Sequence, residues 1–210
     1  MNLQSHKGRR LPARFLERLA QLEALYLLKG DPLMRSGFGG GPERWRRERE
    51  PILDAIDSDG AILDIGCANG CLLESLMEWA RERGLHLTPH GLDAGRHLVQ
   101  EARQRLPGYV ENFHVGNVWD WVPARRYKYV YMTWDCVPVY FLGATLRRVL
   151  REFVAPGGRL IIGSYGSRSR NVPPFDIVPF LASLGMRVAG RSAGGEPRIT
   201  SFVWIDAASE

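Results

Sequence analysis

From residue 61 to the C-terminal end, short apolar runs alternate with stretches of helical periodicity, and no other feature limits the fold so much. Strands are predicted over 61–65, 87–92, 112–115, 127–133, 159–164, 186–190 and 199–205, with helices over 70–83, 96–105, 142–154 and 176–184. Elements taken in turn this way build an α/β fold with a mostly parallel, doubly wound sheet and helices on both faces. Each helical crossover returns the chain in a strand parallel to the one before. The end of the chain breaks the rhythm: only SAGGEP and its neighbours separate the last two runs, too little chain for a crossover. The last of the seven strands is therefore predicted to run antiparallel.

Residues 60–210 are read as one sheet domain, and residues 1–59, outside the alternation, as a helical extension. Phe15, Leu19, Leu22 and Tyr26 recur at helical spacing over 12–29, and Gly30 ends that helix. SGFGGG follows, too rich in glycine to be stiff unaided, and Pro42 and Glu43 then open a second helix interrupted near Pro51. This extension is predicted to lie across the open edge of the sheet as a lid and substrate-selecting surface, hinged at SGFGGGPERW.

A net charge of +5 raises the question of a nucleic-acid partner. All but three of the 28 basic residues are Arg, most of them interleaved with Glu or Asp. Such usage reflects composition more than a phosphate-binding surface, so a nucleic-acid partner is not expected. The one uncompensated basic run, HKGRR at 6–10, is read as a free end. Three cysteines without metal-site spacing fit reduced thiols in the cytoplasm, and no apolar run is long enough to span a membrane. The chain is read as a soluble monomer or homodimer that uses no metal.

The loop after the first strand, in AILDIGCANG, is where a ligand is expected, since open sheets of this kind bind at the carboxyl ends of their strands. A dinucleotide fingerprint would need Gly where Cys71 stands, and no Gly-Lys-Ser/Thr follows for a phosphate loop. What remains is an apolar strand ending in Asp64, then Gly66, Ala68 and Gly70 at alternate positions.

That pattern resembles the first motif of the class I S-adenosylmethionine-dependent methyltransferases, with their Rossmann-like seven-stranded sheet, and later motifs follow in the family's order over about residues 60–205. The chain further resembles a bacterial branch of small methyltransferases that share SGF, a helix with Trp-Arg, and GCANG. The resemblance implies S-adenosylmethionine as cofactor. Small residues at Gly66, Ala68 and Gly70, with Cys67 between them, would let the backbone approach the methionine moiety, and Asp64 is expected to order the loop. Asp93 in HGLDAG, followed by Ala94, would accept both ribose hydroxyls. Asn117 and Val118 stand where the family carries Asp and an apolar residue against the adenine; the amide oxygen of Asn117 is expected to accept from the adenine amino group, and Trp119 either to stack on the ring or, as the alternative, simply to pack.

The fourth strand ends in MTWD over the place where a methyl group would leave. Thr133, Trp134, Asp135 and, less directly, Tyr140 are the catalytic candidates, with Asp135 orienting or deprotonating the acceptor; the alternative for Asp135 is to cap the turn before Pro138. Arg44 is expected to clamp the methionine carboxylate or an anionic substrate, and Trp45 to wall the acceptor pocket, with a surface Arg-Glu helix and Trp45 packed on the sheet as the alternative. NVPPF at 171–175 resembles the Asn-Pro-Pro-aromatic motif of amino-methyltransferases, but its inserted Val172 and its place after the fifth strand make it a turn. These readings predict methyl transfer to an O or N atom of a small molecule. An RNA or protein acceptor guided by the basic N-terminus, and a non-catalytic cofactor-binding module, are the alternatives.

Overall fold

A computed structural model describes residues 10–209; the basic run at 6–10 lies, except for Arg10, outside the described residues. Seven strands form one sheet: β1 (Gly60–Ile65), β2 (Leu87–Asp93), β3 (Phe113–Val115), β4 (Tyr127–Thr133), β5 (Val154–Tyr165), β6 (Gly190–Gly194) and β7 (Thr200–Asp206). Their order is β3-β2-β1-β4-β5-β7-β6. The first five are mutually parallel, and β7 runs antiparallel to both β5 and β6. The chain moves outward from β1 to β3 and then jumps back to lay β4 beside β1. That reversal opens a crevice at the carboxyl ends of β1 and β4.

Alternation along the strands sorts the core into two layers. On β4, Tyr129 and Tyr131 face one side with Leu73, Leu76 and Trp79 of α3 (Cys71–Glu82) and with Val99 and Ala102 of α4 (Arg96–Arg105). Val130 and Met132 face the other, under Leu142, Leu146 and Val149 of α5 (Val139–Glu152) and Leu181 of α6 (Val178–Ser183). A register shift between Tyr127 and Tyr129 puts Tyr127 on the Val130 side. None of the helices among the described residues is long and apolar enough to cross a membrane.

The sixth strand departs from the sequence reading. Residues 186–190 are apolar enough to suggest a strand, yet Met186 and Val188 pack into the lower layer and pairing starts only at Gly190, opposite Trp204. A Cβ at 190 would collide with the Trp204 indole. The GRSAG stretch, poor in strand formers, is thus extended by its partner strand rather than by its own propensity.

The N-terminal extension divides in two. The helix α1 (Ala13–Leu27) has no buried residue. In contrast, Trp45 of α2 (Pro42–Arg49) and Ile52, Leu53 and Ala55 of the following 3-10 turn belong to the core, at 5% exposure or less. Phe38 is buried among them, so SGFGGG is no free hinge. It is anchored at its phenylalanine.

Candidate functional site

One cavity of about 700 Å³ lies along the carboxyl ends of the strands, within the range of small-molecule sites. It brings together Asp64, Gly66, Cys67 and Ala68 after β1, Asp93 and Ala94 after β2, Asn117 and Val118 after β3, and Thr133 and Asp135 after β4; Arg44 and Trp45 line it from α2. Residues scattered from 64 to 135 thus share one space because parallel strands deliver all their carboxyl ends to one edge.

The glycine loop is built to expose backbone. Gly66 sits at φ +91°, with no atom within 4 Å of where a Cβ would stand, and Ala68 takes φ +45°. Gly66 and Cys67 donate their N–H groups to the Leu92 carbonyl at 2.7 and 3.3 Å, and Ala68 donates to Asp93 Oδ2 at 2.9 Å. Asp93, not Asp64, is therefore the carboxylate that orders the loop. Its Oδ1 accepts the Gly95 N–H at 2.7 Å, which leaves one lone pair on each oxygen for a pair of hydroxyls. Burial raises the Asp93 pKa against the pull of these two N–H groups.

Asp64 faces the cavity instead, fully buried, and burial with the neighbouring Asp93 pushes its pKa up to about 8. It stands neutral at pH 7, ready to ionise beside an incoming cation. Burial raises the pKa of Cys67 and Cys71 also, so neither thiol is activated by its place near a helix start.

Beyond Asp64, four residues of the sequence reading change role, and Trp119 takes its packing alternative. Gly70 caps α3 at φ +77° against Ala102 and does not line the cavity. The Oδ1 of Asn117 accepts the N–H groups of Trp119 at 2.9 Å and Asp120 at 3.3 Å, so both lone pairs are taken and the side chain offers its amide donor, not its oxygen. Trp119 is buried beneath the site with its ring 4.5 Å from Phe141, because the turn capped by Asn117 directs it into the core. Trp134 packs its ring 4.5 Å from Phe175, outside the cavity lining, and holds down the NVPPF turn. Tyr140 is 71% exposed on the first turn of α5. Asp135 stays free for the cavity: α5 starts after Pro138 with no side-chain cap.

Several lining residues carry no motif. Tyr26 reaches in from α1, its pKa raised by burial and by Asp93 and Asp135, which brings the helix to the centre of the site. Tyr131 and Tyr165 hydrogen-bond through their hydroxyls on the floor. Arg49 is buried at 7% exposure, its guanidinium 4.0 Å from the Tyr165 ring and 4.9 Å from that of Trp45, and its Nη1 has no hydrogen-bond partner. A buried cationic donor aimed at a cavity marks the place of an anion. Asn69, fully buried, joins the loop to the extension: its Nδ2 donates to the Pro32 carbonyl at 2.9 Å and its Oδ1 accepts from Ser36 Oγ at 2.6 Å. Periodicity in α2 and the GCANG motif could have pointed to Arg49 and Asn69; nothing in the sequence pointed to the tyrosine pair.

The residues fit S-adenosylmethionine: exposed loop backbone, a carboxylate with two free lone pairs, a donor at Asn117, and a buried guanidinium whose Nη1 lacks a hydrogen bond, for a carboxylate. No protein-family model matches the chain, and no curated relative is found. Solved structures do match. The N-methyltransferase NodS from Bradyrhizobium japonicum WM9, solved with S-adenosylhomocysteine, aligns with a TM-score of 0.68 at 15% identity, over 90% of this chain and 97% of that one. A SAM-dependent methyltransferase from Aquifex aeolicus aligns at 0.59 and 18% identity, over 86% and 100%. One from Thiobacillus denitrificans, also with S-adenosylhomocysteine, aligns at 0.54 and 17%, over 90% and 77%. Sheet order and neighbours agree: the chain has the fold of the class I S-adenosylmethionine-dependent methyltransferases.

Proposed function

We propose that this protein transfers a methyl group from S-adenosylmethionine to an O or N atom of a small-molecule acceptor. The observation that carries the reading is the sharing of one cavity by the loop at 66–68, Asp93, Asn117, Thr133 and Asp135. When bound, the cofactor supplies an electrophilic methyl carbon on a sulfonium. The chain's part is to hold and align. Asp93 accepts the ribose hydroxyls, Asn117 donates to an adenine ring nitrogen, Arg49 takes the methionine carboxylate, and Asp64 ionises to balance the incoming positive charge. Asp135 orients the acceptor and takes its proton where one must leave. The tyrosine pair and α1 exclude water, which strengthens each polar contact inside. The N-methyltransferase activity in the name of NodS supports nitrogen among the acceptor atoms.

Calorimetry with S-adenosylmethionine tests the reading. Asp93→Ala should weaken binding at least about tenfold, on the order of 1.4 kcal/mol, with the melting temperature recorded beside it. Undiminished affinity in that variant would remove the ribose assignment, and no binding to the wild type would remove the reading.

A further inference from the structure

Sheet order divides the cavity. The cofactor stations stand at the ends of β1, β2 and β3, and beyond the reversal the floor is made by β4, β5 and β7. The wall over that second half is three guanidinium groups around one carboxylate. Glu48, on α2 and buried, receives Arg44 Nε at 2.9 Å and Arg168 Nη2 at 3.1 Å on Oε1, while Arg49 Nη1 stands 3.5 Å from Oε2. Arg168 also donates from Nη1 to the Glu196 carbonyl at 2.7 Å, which fixes its plane without adding negative charge. Three cations against one anion leave this wall positive. Arg49 is the buried one of the three, and positive charge held away from water is costly unless an anion arrives.

We infer that the acceptor is itself a small anion, carrying a carboxylate or phosphate that Arg168 and Arg44 receive. The inference rests on the methyltransferase reading above. If the methionine carboxylate satisfies Arg49, Glu48 remains a single carboxylate shared by two guanidinium groups, Arg44 and Arg168, and a neutral acceptor adds no second one. Placement agrees with charge. Arg168 follows the end of β5, whose Gly163 pairs with Thr133 at the end of β4, so an anionic group at Arg168 sets the rest of the molecule over Thr133 and Asp135. Arg44 and Arg168 are 41% and 30% exposed, against 5% for Glu48, so ligand can reach them where it cannot reach their partner. Adjacent guanidinium groups take carboxylate and phosphate in a forked geometry. The Phe38 ring, 4.8 Å from Arg44, gives the body of the acceptor an apolar side.

The test uses full-length protein saturated with S-adenosylhomocysteine, so that the cofactor half is filled. Calorimetry then compares 4-hydroxybenzoate with 4-hydroxybenzamide, and phosphoserine with serine. At least one anion should bind about tenfold or more tighter than its neutral twin, and the arm that responds distinguishes carboxylate from phosphate. Arg168→Gln should abolish the preference and Arg168→Lys keep part of it, while S-adenosylhomocysteine affinity stays within about twofold. If Arg168→Gln does not fold, Arg44→Gln replaces it. Anions that bind no better than their twins, or a preference that survives loss of the arginine, would overturn the proposal. Failure of S-adenosylhomocysteine itself to bind would overturn the cofactor reading and this proposal with it, before any probe is added.

Discussion

Asp135 stands two residues past the end of β4 and, among the described residues, has no ion pair and caps no helix, unlike Asp93, held by backbone N–H groups, and Glu48, held by guanidinium. Freedom of that kind suits a group that must adjust to a substrate. Asp135→Asn should leave S-adenosylmethionine affinity unchanged and lower turnover at least about tenfold once an acceptor is in hand, and equal turnover would make it a bystander. Arg148 is the opposite case. Buried on α5, it donates to the carbonyls of Val118 at 2.6 Å and Trp121 at 2.7 Å and pairs with Glu152 at 2.8 Å, which locks the loop that carries Asn117. Arg148→Met should cost about 2–4 kcal/mol in a denaturant titration, because it strands buried carbonyls, and should weaken cofactor binding through Asn117. A loss under 1 kcal/mol, on the same scale, would contradict that account.

At the level of elements, the strand–helix alternation was readable because the pattern is regular and each strand is bounded by turn residues. Six of the seven predicted strands lie where paired strands stand, and the exception, β6, is extended only by Trp204 and its neighbours, a partner that local sequence does not reveal. The site was legible where chemistry requires a residue type at a strand end, as at Asp93 and Gly66. It was not legible where roles depend on which way a turn sends its side chain, as at Trp119, or on which partner an amide finds, as at Asn117. The extension shows the same limit. Amphipathic spacing fixes that α1 is a helix, but only packing distinguishes it from α2, whose Trp45 donates to Ser75 Oγ at 2.9 Å and belongs to the core. Deleting residues 1–28 takes one buried residue, Leu11, from the core and none from α1, and should therefore shift the melting temperature by no more than about 10 °C. The same deletion should weaken cofactor binding at least about tenfold, because Tyr26 and Leu22 leave the cavity. A large drop in melting temperature would count against α1 as a cover.

For the whole molecule, two buried titrations set the pH behaviour. Asp64 holds its proton up to about pH 8 in the fold and releases it near 4 when unfolded, so its contribution to stability is present in acid and is lost as pH rises through 8. His90, buried with Nε2 unpaired and its pKa lowered to about 4, acts in the opposite sense: its contribution is present above 6.5 and is lost as pH falls toward 4. Ligand-free protein should thus lose stability on the alkaline side between pH 5 and 8, and Asp64→Asn should flatten that limb in thermal scans. Binding of S-adenosylmethionine near pH 7 should release a proton, measurable by calorimetry in buffers of differing ionisation enthalpy, and Asp64→Asn should abolish the release. Equal heats in all buffers would show Asp64 already ionised.

The bond from Asn69 to Pro32 carries a further implication. Asn69 and Phe38 fix the 32–38 turn to the sheet, whereas α1 is tied to α4, where its Glu23 accepts the His97 N–H at 2.8 Å, and the two anchored pieces are joined through Leu28, which is exposed, and Gly30. The arginine wall is held by α2 and the β5 loop, neither of which includes that joint. On the proposed reading, cofactor and acceptor would therefore be covered by two separately anchored pieces of one extension, and a change in α1 need not disturb the arginines that receive the acceptor.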